Sequence, residues 1–294
     1  MISTSDGGTG MTMKLRVIAG AGALVWMSAV SAVLAADIPA APIMKAPVVA
    51  PPVQNWYGFY IGVNGGYAWG RDGINLTPDA FYLPAFTLGA IPTTLAADPR
   101  GGVFGITYGS NYQFGPVVLG IDSDFDWSNI KSSQTFNGVF PGILGPVPFT
   151  ATATQNLKWF STTRLRGGIL VSPNWLLYAT GGLASGRGET TAANTVTLAG
   201  ICAIGGNCPF GTASKNLWGW ALGGGLEYAA GPWHFRAEYL HYDLGTLSYF
   251  LRDPVFPGPA IAASTRFSGD MVRGAITYRF NWTLLGLITG SDRL

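Results

Sequence analysis

Residues 272–280 read Val-Arg-Gly-Ala-Ile-Thr-Tyr-Arg-Phe, and here apolar side chains return at every second position. In an extended chain, one face of this stretch carries Val272, Ile276, Tyr278 and Phe280. The opposite face carries Arg273 and Arg279. Because successive side chains of a β-strand point to opposite sides, this period of two predicts a strand with one apolar and one charged face.

Seven other segments show the same alternation, and all are long enough for the ~9–11 residues that a tilted membrane strand needs. The eight predicted strands are Trp56–Gly70, Gly101–Phe114, Val117–Ile130, Asn156–Val171, Trp175–Gly188, Asn216–Ala230, Trp233–Tyr249 and Arg266–Phe280. An even number of strands closes a barrel without an open edge, which lipid requires because unpaired backbone groups there are costly.

The connections between these segments alternate strictly between short and long. Three are tight turns, at Gly115-Pro116, Ser172-Pro173-Asn174 and Gly231-Pro232. The long ones are Arg71–Arg100, Lys131–Gln155, Glu189–Lys215 and Phe250–Thr265. The pattern predicts an all-β fold, an eight-stranded antiparallel transmembrane β-barrel with short periplasmic turns and long extracellular loops. A soluble β-sandwich is the alternative, but it gives no reason for the alternation.

The composition supports a membrane barrel. Only 11% of the 294 residues are charged, against ~25% in ordinary soluble domains. Glycine occurs 42 times, which disfavours helices. Aromatic residues make up 13% and gather near segment ends, as in the aromatic girdles of membrane barrels. A formal net charge of +2 provides no basic field for nucleic acid, which we exclude as a partner.

The N-terminal segment resembles an export signal. Lys14 and Arg16 precede an apolar run, Val17–Val30, which small residues follow up to Ala36. This order predicts a secretory signal peptide over residues 1–35, with Met11 or Met13 as an alternative start. The alternative is an uncleaved transmembrane helix, but the apolar run is shorter than the ~20 residues that a span requires.

Two further segments flank the predicted barrel, which covers residues 56–280. Residues 36–55 contain five prolines, which predict an extended periplasmic linker. This linker is either a solvated spacer or an arm that contacts peptidoglycan or another envelope protein. Residues 281–294 form a C-terminal extension that is too short to span a membrane.

Charged side chains on the inward face are the candidate functional residues. They are Asp122, Asp124, Arg164, Arg166, Glu227, Arg236, Glu238, Arg273 and Arg279. The interior of an eight-stranded barrel is only wide enough for side chains to fill, so these charges must pair. They form either a salt-bridged plug that stabilises the barrel or the lining of a narrow ion path. Asp126, nearer the rim, would cancel the excess of one arginine.

Catalysis, metals and cofactors find no support in the pattern. The chain has two histidines. His234 lies beside a short turn, the wrong end for chemistry on outer-leaflet lipid, and no serine is spaced to lie on the same strand face close to His241, so we expect no enzyme activity. Cys202 and Cys208 lie in a glycine-rich loop without histidine partners. In an exported protein this pair predicts a disulfide rather than a metal site. No cofactor is expected.

The stretch Asn55-Trp56-Tyr57-Gly58-Phe59-Tyr60-Ile61-Gly62 resembles the opening strand of a known family. The family comprises small outer-membrane barrels of alphaproteobacteria, the major surface proteins of Brucella and Rhizobium, which are related to opacity-type, porin-family barrels. Ala36-Asp37-Ile38-Pro39 is similar to their mature N-terminus. The last strand resembles the signal read by the barrel-assembly machinery, formed by Val272, Ile276, Tyr278 and Phe280. Residues 281–294 depart from the family pattern, which ends at the final aromatic.

This resemblance implies a protein of the cell outer membrane, in contact with outer-membrane lipid and lipopolysaccharide. It leaves three roles open. We expect a structural role in envelope integrity with surface-exposed loops. The alternatives are a small porin-like channel for ions or small solutes, and a surface adhesin or receptor for a haem-like ligand that acts through the loops.

Overall fold

The computed structural model describes residues 54–89, 91–142, 145–196, 208–253, 258 and 260–280. Its strands are β1 Gly58–Trp69, β2 Asp72–Pro78, β3 Thr94–Ala97, β4 Arg100–Phe114, β5 Val117–Gly142, β6 Gly145–Ser172, β7 Trp175–Val196, β8 Phe210–Ala230, β9 Trp233–Arg252 and β10 Ala260–Phe280. One short helix, α1, spans Leu83–Thr87. In this part of the chain, no helix has the length and apolar character needed to cross a membrane.

Eight long strands form a closed antiparallel ring. The order β1-β4-β5-β6-β7-β8-β9-β10 joins each strand to its neighbour, and β1 also pairs with β10. That last ladder runs from Phe59 opposite Phe280 to Trp69 opposite Asp270. The predicted all-β, eight-stranded antiparallel barrel is therefore confirmed, with β2 and β3 as additional short strands.

Alternation separates an apolar outer surface from a polar interior. Along β9, outward residues such as Phe235 and Tyr239 are 45% and 47% exposed, whereas the charged residues between them are buried. The outward apolar residues of β4 run from Phe104 to Phe114, which is 114 − 104 = 10 residue steps. At ~3.3 Å per step and a tilt near ~40°, the belt is about 25 Å tall, the thickness of the apolar band of outer-membrane barrels.

The predicted strand ends at one side of the belt are wrong. Lys131–Gln155 was predicted as a loop, but β5 continues to Gly142 and β6 begins at Gly145, so most of this segment is a hairpin. Beyond the belt, Ala151 and Ala153 face inward between outward threonines. Because small apolar residues alternate there with uncharged polar ones, the contrast that marked the other strands is lost.

We call this side the hairpin end and the opposite side, with its two-residue turns, the short-turn end. At the hairpin end β2 pairs with β10 and β3 pairs with β2. An inner apolar cluster joins these strands to α1 and to the extended parts of β6, β7, β9 and β10. Its buried members are Ile74, Leu76, Tyr82, Phe86, Leu95, Ala97, Ala153, Ala192, Tyr249, Leu251, Ile261 and Ala263.

Several predictions concern residues outside the described ranges. The signal peptide (1–35), most of the linker (36–55), the extension (281–294) and Cys202 all fall there. The domain boundaries and the disulfide between Cys202 and Cys208 therefore stay predictions.

Asp79 fastens the first long connection to β10. The backbone N–H groups of Phe81 and Tyr82 donate to its Oδ1 at 3.1 and 3.2 Å, and the N–H of Ala260 donates to its Oδ2 at 2.7 Å. The bond from Ala260 in particular holds the pKa of the Asp79 carboxyl below its ordinary value. The clamp is therefore complete above the ordinary pKa of ~3.9 and is lost only as the pH falls through the lower, folded-state value.

We predict that Asp79→Ala loosens the connection between β2 and β4, because three backbone donors lose their acceptor. Limited proteolysis with chymotrypsin at neutral pH should cut the variant beside Phe81 several-fold faster than the original chain. Thr94→Ala is the control, since it removes a single exposed hydrogen bond, from Thr94 Oγ1 to Asn75 Oδ1. Equal cleavage of Asp79→Ala and Thr94→Ala would contradict the clamp.

Candidate functional site

Ten ionisable side chains from β5, β6, β8, β9 and β10 meet inside the barrel, because all occupy inward positions of their strands. None is more than 5% exposed. We call them the lumen cluster, which comprises Asp122, Asp124, Asp126, Arg164, Arg166, Glu227, His234, Arg236, Glu238 and Arg273.

Arg164 of β6 connects three carboxylates. Its Nη2 donates to Asp124 Oδ2 at 2.7 Å and lies 3.2 Å from Asp122 Oδ2. Its Nη1 donates to Glu238 Oε1 at 3.0 Å, across the lumen on β9. The Nε donates to Thr162 Oγ1 at 3.0 Å, and that hydroxyl donates in turn to Asp124. All the side-chain nitrogens of Arg164 are thereby engaged.

Arg273 of β10 binds an overlapping set of carboxylates. Its Nη2 donates to Asp124 Oδ2 at 2.6 Å and its Nε to Glu238 Oε1 at 2.8 Å. Its Nη1 lies 3.2 Å from Asp126 Oδ2. Asp124 and Glu238 are thus each shared by Arg164 and Arg273, and the two like-charged guanidinium groups are separated by carboxylates. This sharing links β5, β6, β9 and β10 across the interior.

A second group lies nearer the short-turn end around Glu227. Arg166 Nη2 and Arg236 Nε donate to Glu227 Oε2 at 2.6 and 3.2 Å. His234 Nδ1 lies 2.7 Å from Glu227 Oε1. Arg236 Nη1 also donates to Asp122 Oδ2 at 2.6 Å, which joins this group to the one around Arg164. The ten residues therefore form one connected network.

Two tyrosines complete the network, and sequence reasoning missed both. Tyr60 OH donates to Asp122 Oδ1 and Tyr178 OH to Glu238 Oε2, each at 2.8 Å. The Arg166 guanidinium lies 4.1 Å from the centre of the Tyr178 ring, within cation–π range. The available signal was position: both tyrosines stand on the inward face of their strands, opposite the apolar residues of the belt.

Inward glycines make room for these rings. A Cβ atom added at Gly109 would overlap the Tyr60 hydroxyl, and one at Gly225 would lie 2.6 Å from the Tyr178 hydroxyl. Both contacts are closer than side-chain atoms can approach. Glycine at these inward positions therefore provides space for large side chains of the neighbouring strand.

Trp56 closes the short-turn end. It is fully buried, donates from its indole Nε1 to the carbonyl of Pro173 at 3.1 Å, and packs edge-on against His234 with ring centres 4.8 Å apart. Leu176 and Val118 pack around it in the same apolar cluster. The Trp56 ring thus covers the network on its short-turn side.

A further apolar layer lies on the other side of the network. Phe160 and Tyr242 are buried, and their rings are 5.0 Å apart. They belong to an inner apolar cluster with Leu240, Leu244 and Met271. On β9 the two leucines follow the charged inward residues, and on β10 the methionine precedes the charged inward residue. The charges are therefore enclosed by apolar side chains at both ends.

The structure brings together eight of the nine predicted lumen residues and places Arg279 elsewhere. Arg279 is only partly buried at the short-turn end, where it donates to the Tyr57 carbonyl at 2.9 Å. It lies on the predicted inward face of β10, but it is 279 − 273 = 6 positions beyond Arg273, about 20 Å along a strand. Asp126 takes part instead. The cluster therefore has four arginines and five carboxylates, with His234 beside Glu227.

The remaining predicted residues lie on the outer surface. Val272, Ile276 and Tyr278 are 49%, 45% and 37% exposed along β10, and Phe280 ends the strand. Their role as an assembly signal stays a prediction. His241 Nδ1 lies 2.9 Å from Asp270 Oδ1, whereas the neighbouring Asp243 binds Arg266.

A family model and a relative of known class identify the family of this chain. The family model described as outer membrane protein beta-barrel domain matches residues 28–280. A 31 kDa outer-membrane immunogenic protein of Brucella melitensis is 31% identical over 277 residues, which cover 91% of this chain and 100% of that protein. The solved structure of OprG from Pseudomonas aeruginosa covers 78% of this chain and 100% of its own, at 13% identity and a TM-score of 0.44. The solved structure of Neisserial surface protein A covers 76% of this chain and 97% of its own, at 15% identity and a TM-score of 0.31.

We predict that Arg164→Ala destabilises the folded barrel by about 3–5 kcal/mol, because Asp122, Asp124 and Glu238 lose a shared counter-charge in a buried site. The measurement is the temperature at which the refolded protein converts from the folded to the unfolded band on a gel. Arg187→Ala is the matched control, since Arg187 is exposed and 3.8 Å from Glu189, a pair expected to contribute at most ~1 kcal/mol. Similar conversion temperatures for both variants would contradict the assignment.

Proposed function

Since the chain belongs to the outer membrane protein β-barrel domain family, we propose that it is a structural protein of the outer membrane whose sealed barrel conducts no solute. In this proposal the barrel anchors the surface-exposed hairpins and contributes to envelope integrity. Family membership places the chain in the outer membrane, and the structural role is inferred from its interior.

The observation that carries the proposal is the succession of filled layers along the lumen. From the short-turn end upward, the barrel axis meets the Trp56 ring, the lumen cluster, and the layer of Phe160 and Tyr242. The inner cluster with α1 follows at the hairpin end. Because eight strands leave an interior only wide enough for side chains, layers of this kind block it.

The electrostatics of the cluster also favour a plug over a path. Arg164 and Arg273 share two carboxylates, so moving either side chain breaks several charge-assisted hydrogen bonds at once. A conducting path needs binding groups that release an ion easily. Charges already neutralised by buried partners do not meet that condition.

A role in surface contact is the second candidate, and one observation favours it. Around α1 at the hairpin end, Phe81, Leu83 and Leu88 are 55%, 50% and 62% exposed. Neighbouring exposed apolar side chains are typical of surfaces that bind a partner or an apolar ligand. This role is compatible with a sealed barrel because it uses only the external rim.

The partners of the proposed function follow from the same surfaces. Outer-membrane lipid and lipopolysaccharide would surround the apolar belt. The barrel-assembly machinery would recognise the last strand, where Val272, Ile276 and Tyr278 point outward. Peptidoglycan or another envelope protein would contact the proline-rich linker.

We predict that the refolded barrel is silent in a planar lipid bilayer, because its lumen is filled at four levels. Folding is verified beforehand by the heat-dependent gel shift. The double variant Arg164→Ala/Arg166→Ala should lose heat resistance without gaining regular conductance steps. Discrete, reproducible steps from the original chain, with a size that changes in the double variant, would instead establish the porin-like alternative.

We further predict that Phe81→Ser/Leu88→Ser weakens haemin binding at least fivefold if the external rim is a receptor for a haem-like ligand. Titration followed by haemin absorbance measures the affinity. The control is Val139→Ser, which replaces an exposed apolar side chain on the β5–β6 hairpin. Unchanged affinity in the double variant, or no haemin binding by the original chain, would remove this ligand from the proposal.

A further inference from the structure

A row of basic side chains borders the apolar belt at the hairpin end. Arg100 of β4, Lys131 of β5, Lys158 of β6 and Arg187 of β7 are all exposed. We call these four residues the basic row. The ladders place them on consecutive strands at similar heights. Arg100 is directly opposite Lys131, and Lys131 is opposite the residue that lies two positions before Lys158. Leu157, which precedes Lys158, is opposite Gly188, which follows Arg187.

Aromatic rings lie directly beneath the basic row on the same strands. Phe104 stacks on Trp127 with ring centres 5.4 Å apart, and Phe125 stacks on Trp159 at 5.9 Å. Phe125 and Trp127 are also in contact, at 5.5 Å. Tryptophan and other aromatic side chains mark the level of lipid headgroups in membrane barrels. The basic row therefore stands at headgroup height, with the aromatic rings at the boundary of the acyl chains.

One local feature is unfavourable for the barrel alone, and a second turns side chains outward at the same level. Arg100 and Lys131 are directly opposite each other on neighbouring strands, and like charges in this position are destabilising. In addition, β5 and β6 both break register at this level, between Trp127 and Ile130 and between Leu157 and Phe160. Such bulges re-aim side chains, and here Lys158 and Trp159 both reach the outer surface. An anion bound between the basic groups would offset the repulsion.

At this height the net positive charge lies on one side of the barrel. Glu189 accompanies the row, 3.4 Å from Lys158 and 3.8 Å from Arg187, and leaves a net charge of the row that is still positive. Arg71 and Asp98, both exposed at its edge, add no net charge. On the opposite side, β9 and β10 present Asp243 and Asp270 at this height with Arg266 as the basic partner. There the carboxylates are already bound by side chains of the barrel. The net charge thus has opposite signs on the two sides of the barrel. A general attraction to the membrane surface would not require this asymmetry.

We propose that the basic row binds the phosphate groups of a phosphorylated outer-leaflet glycolipid, whose acyl chains lie against Phe104, Trp127 and Trp159. The inference rests on the proposed function, because the hairpin end must face the outside for the row to meet that leaflet. Several basic side chains on adjacent strands match a headgroup that carries more than one phosphate. The aromatic ladder below matches its acyl chains, a combination that free phosphate would not use.

The test measures binding of bisphosphorylated lipid A to the immobilised, refolded full-length barrel in zwitterionic detergent by surface plasmon resonance. Each basic residue near an anionic surface contributes about fivefold in affinity, so Arg100→Ala/Lys131→Ala should weaken binding at least ~10-fold. Arg252→Ala/Arg266→Ala removes the same charge from the opposite side and should stay within about twofold. Raising the salt concentration should abolish this difference between the two variants.

Other arms identify the ligand chemistry. Lipid A without its phosphates should bind the original chain as weakly as bisphosphorylated lipid A binds Arg100→Ala/Lys131→Ala. Equal loss of binding in both double variants would overturn the proposal, and so would displacement of lipid A by inorganic phosphate at low millimolar concentration, which would indicate a free-phosphate site. The heat-dependent gel shift and bilayer conductance are recorded on the same samples. A conducting barrel that still binds lipid A through the basic row would refute the sealed-barrel proposal alone.

Discussion

A charge inside a closed eight-stranded barrel has almost no water to solvate it, so it must be paired or removed. This constraint organises the interior of the protein. Four arginines meet five carboxylates, and four of these carboxylates each accept hydrogen bonds from two guanidinium groups: Asp122, Asp124, Glu227 and Glu238. Removing one partner leaves others uncompensated, whereas the intact network holds distant strands at fixed positions across the lumen.

The need to fit such a network accounts for glycine at several inward positions. Large inward side chains such as Tyr60 and Tyr178 occupy space that a neighbouring strand would otherwise fill with a Cβ atom. Gly109 and Gly225 provide that space while their backbones remain in the ladder. The same exchange operates between Gly66 and Arg273, where an added Cβ would meet the arginine backbone and Cβ. Glycine here is the small partner in a large–small packing arrangement.

Strand number, facing and closure could be predicted from the sequence because each depends on a local period of two and on short turns. The charged face of β10 and the apolar face around Ile276 are examples. The strand ends at the hairpin end could not, since alanine and threonine alternate there with little difference in polarity. Pairing across the lumen could not be predicted either. It depends on height along the barrel, which places Asp126 inside the network and Arg279 at the rim.

The inner and outer surfaces treat the same kind of charge in opposite ways. Inside, arginines such as Arg164 are buried and matched by carboxylates of this chain, so they need no further ligand. Outside, Arg100 and Lys131 are exposed and face each other as like charges. That repulsion is a small cost to the fold, which an anion in the surroundings would offset. At the height of the aromatic rings, the surroundings are lipid headgroups, and the anionic groups available there are phosphates.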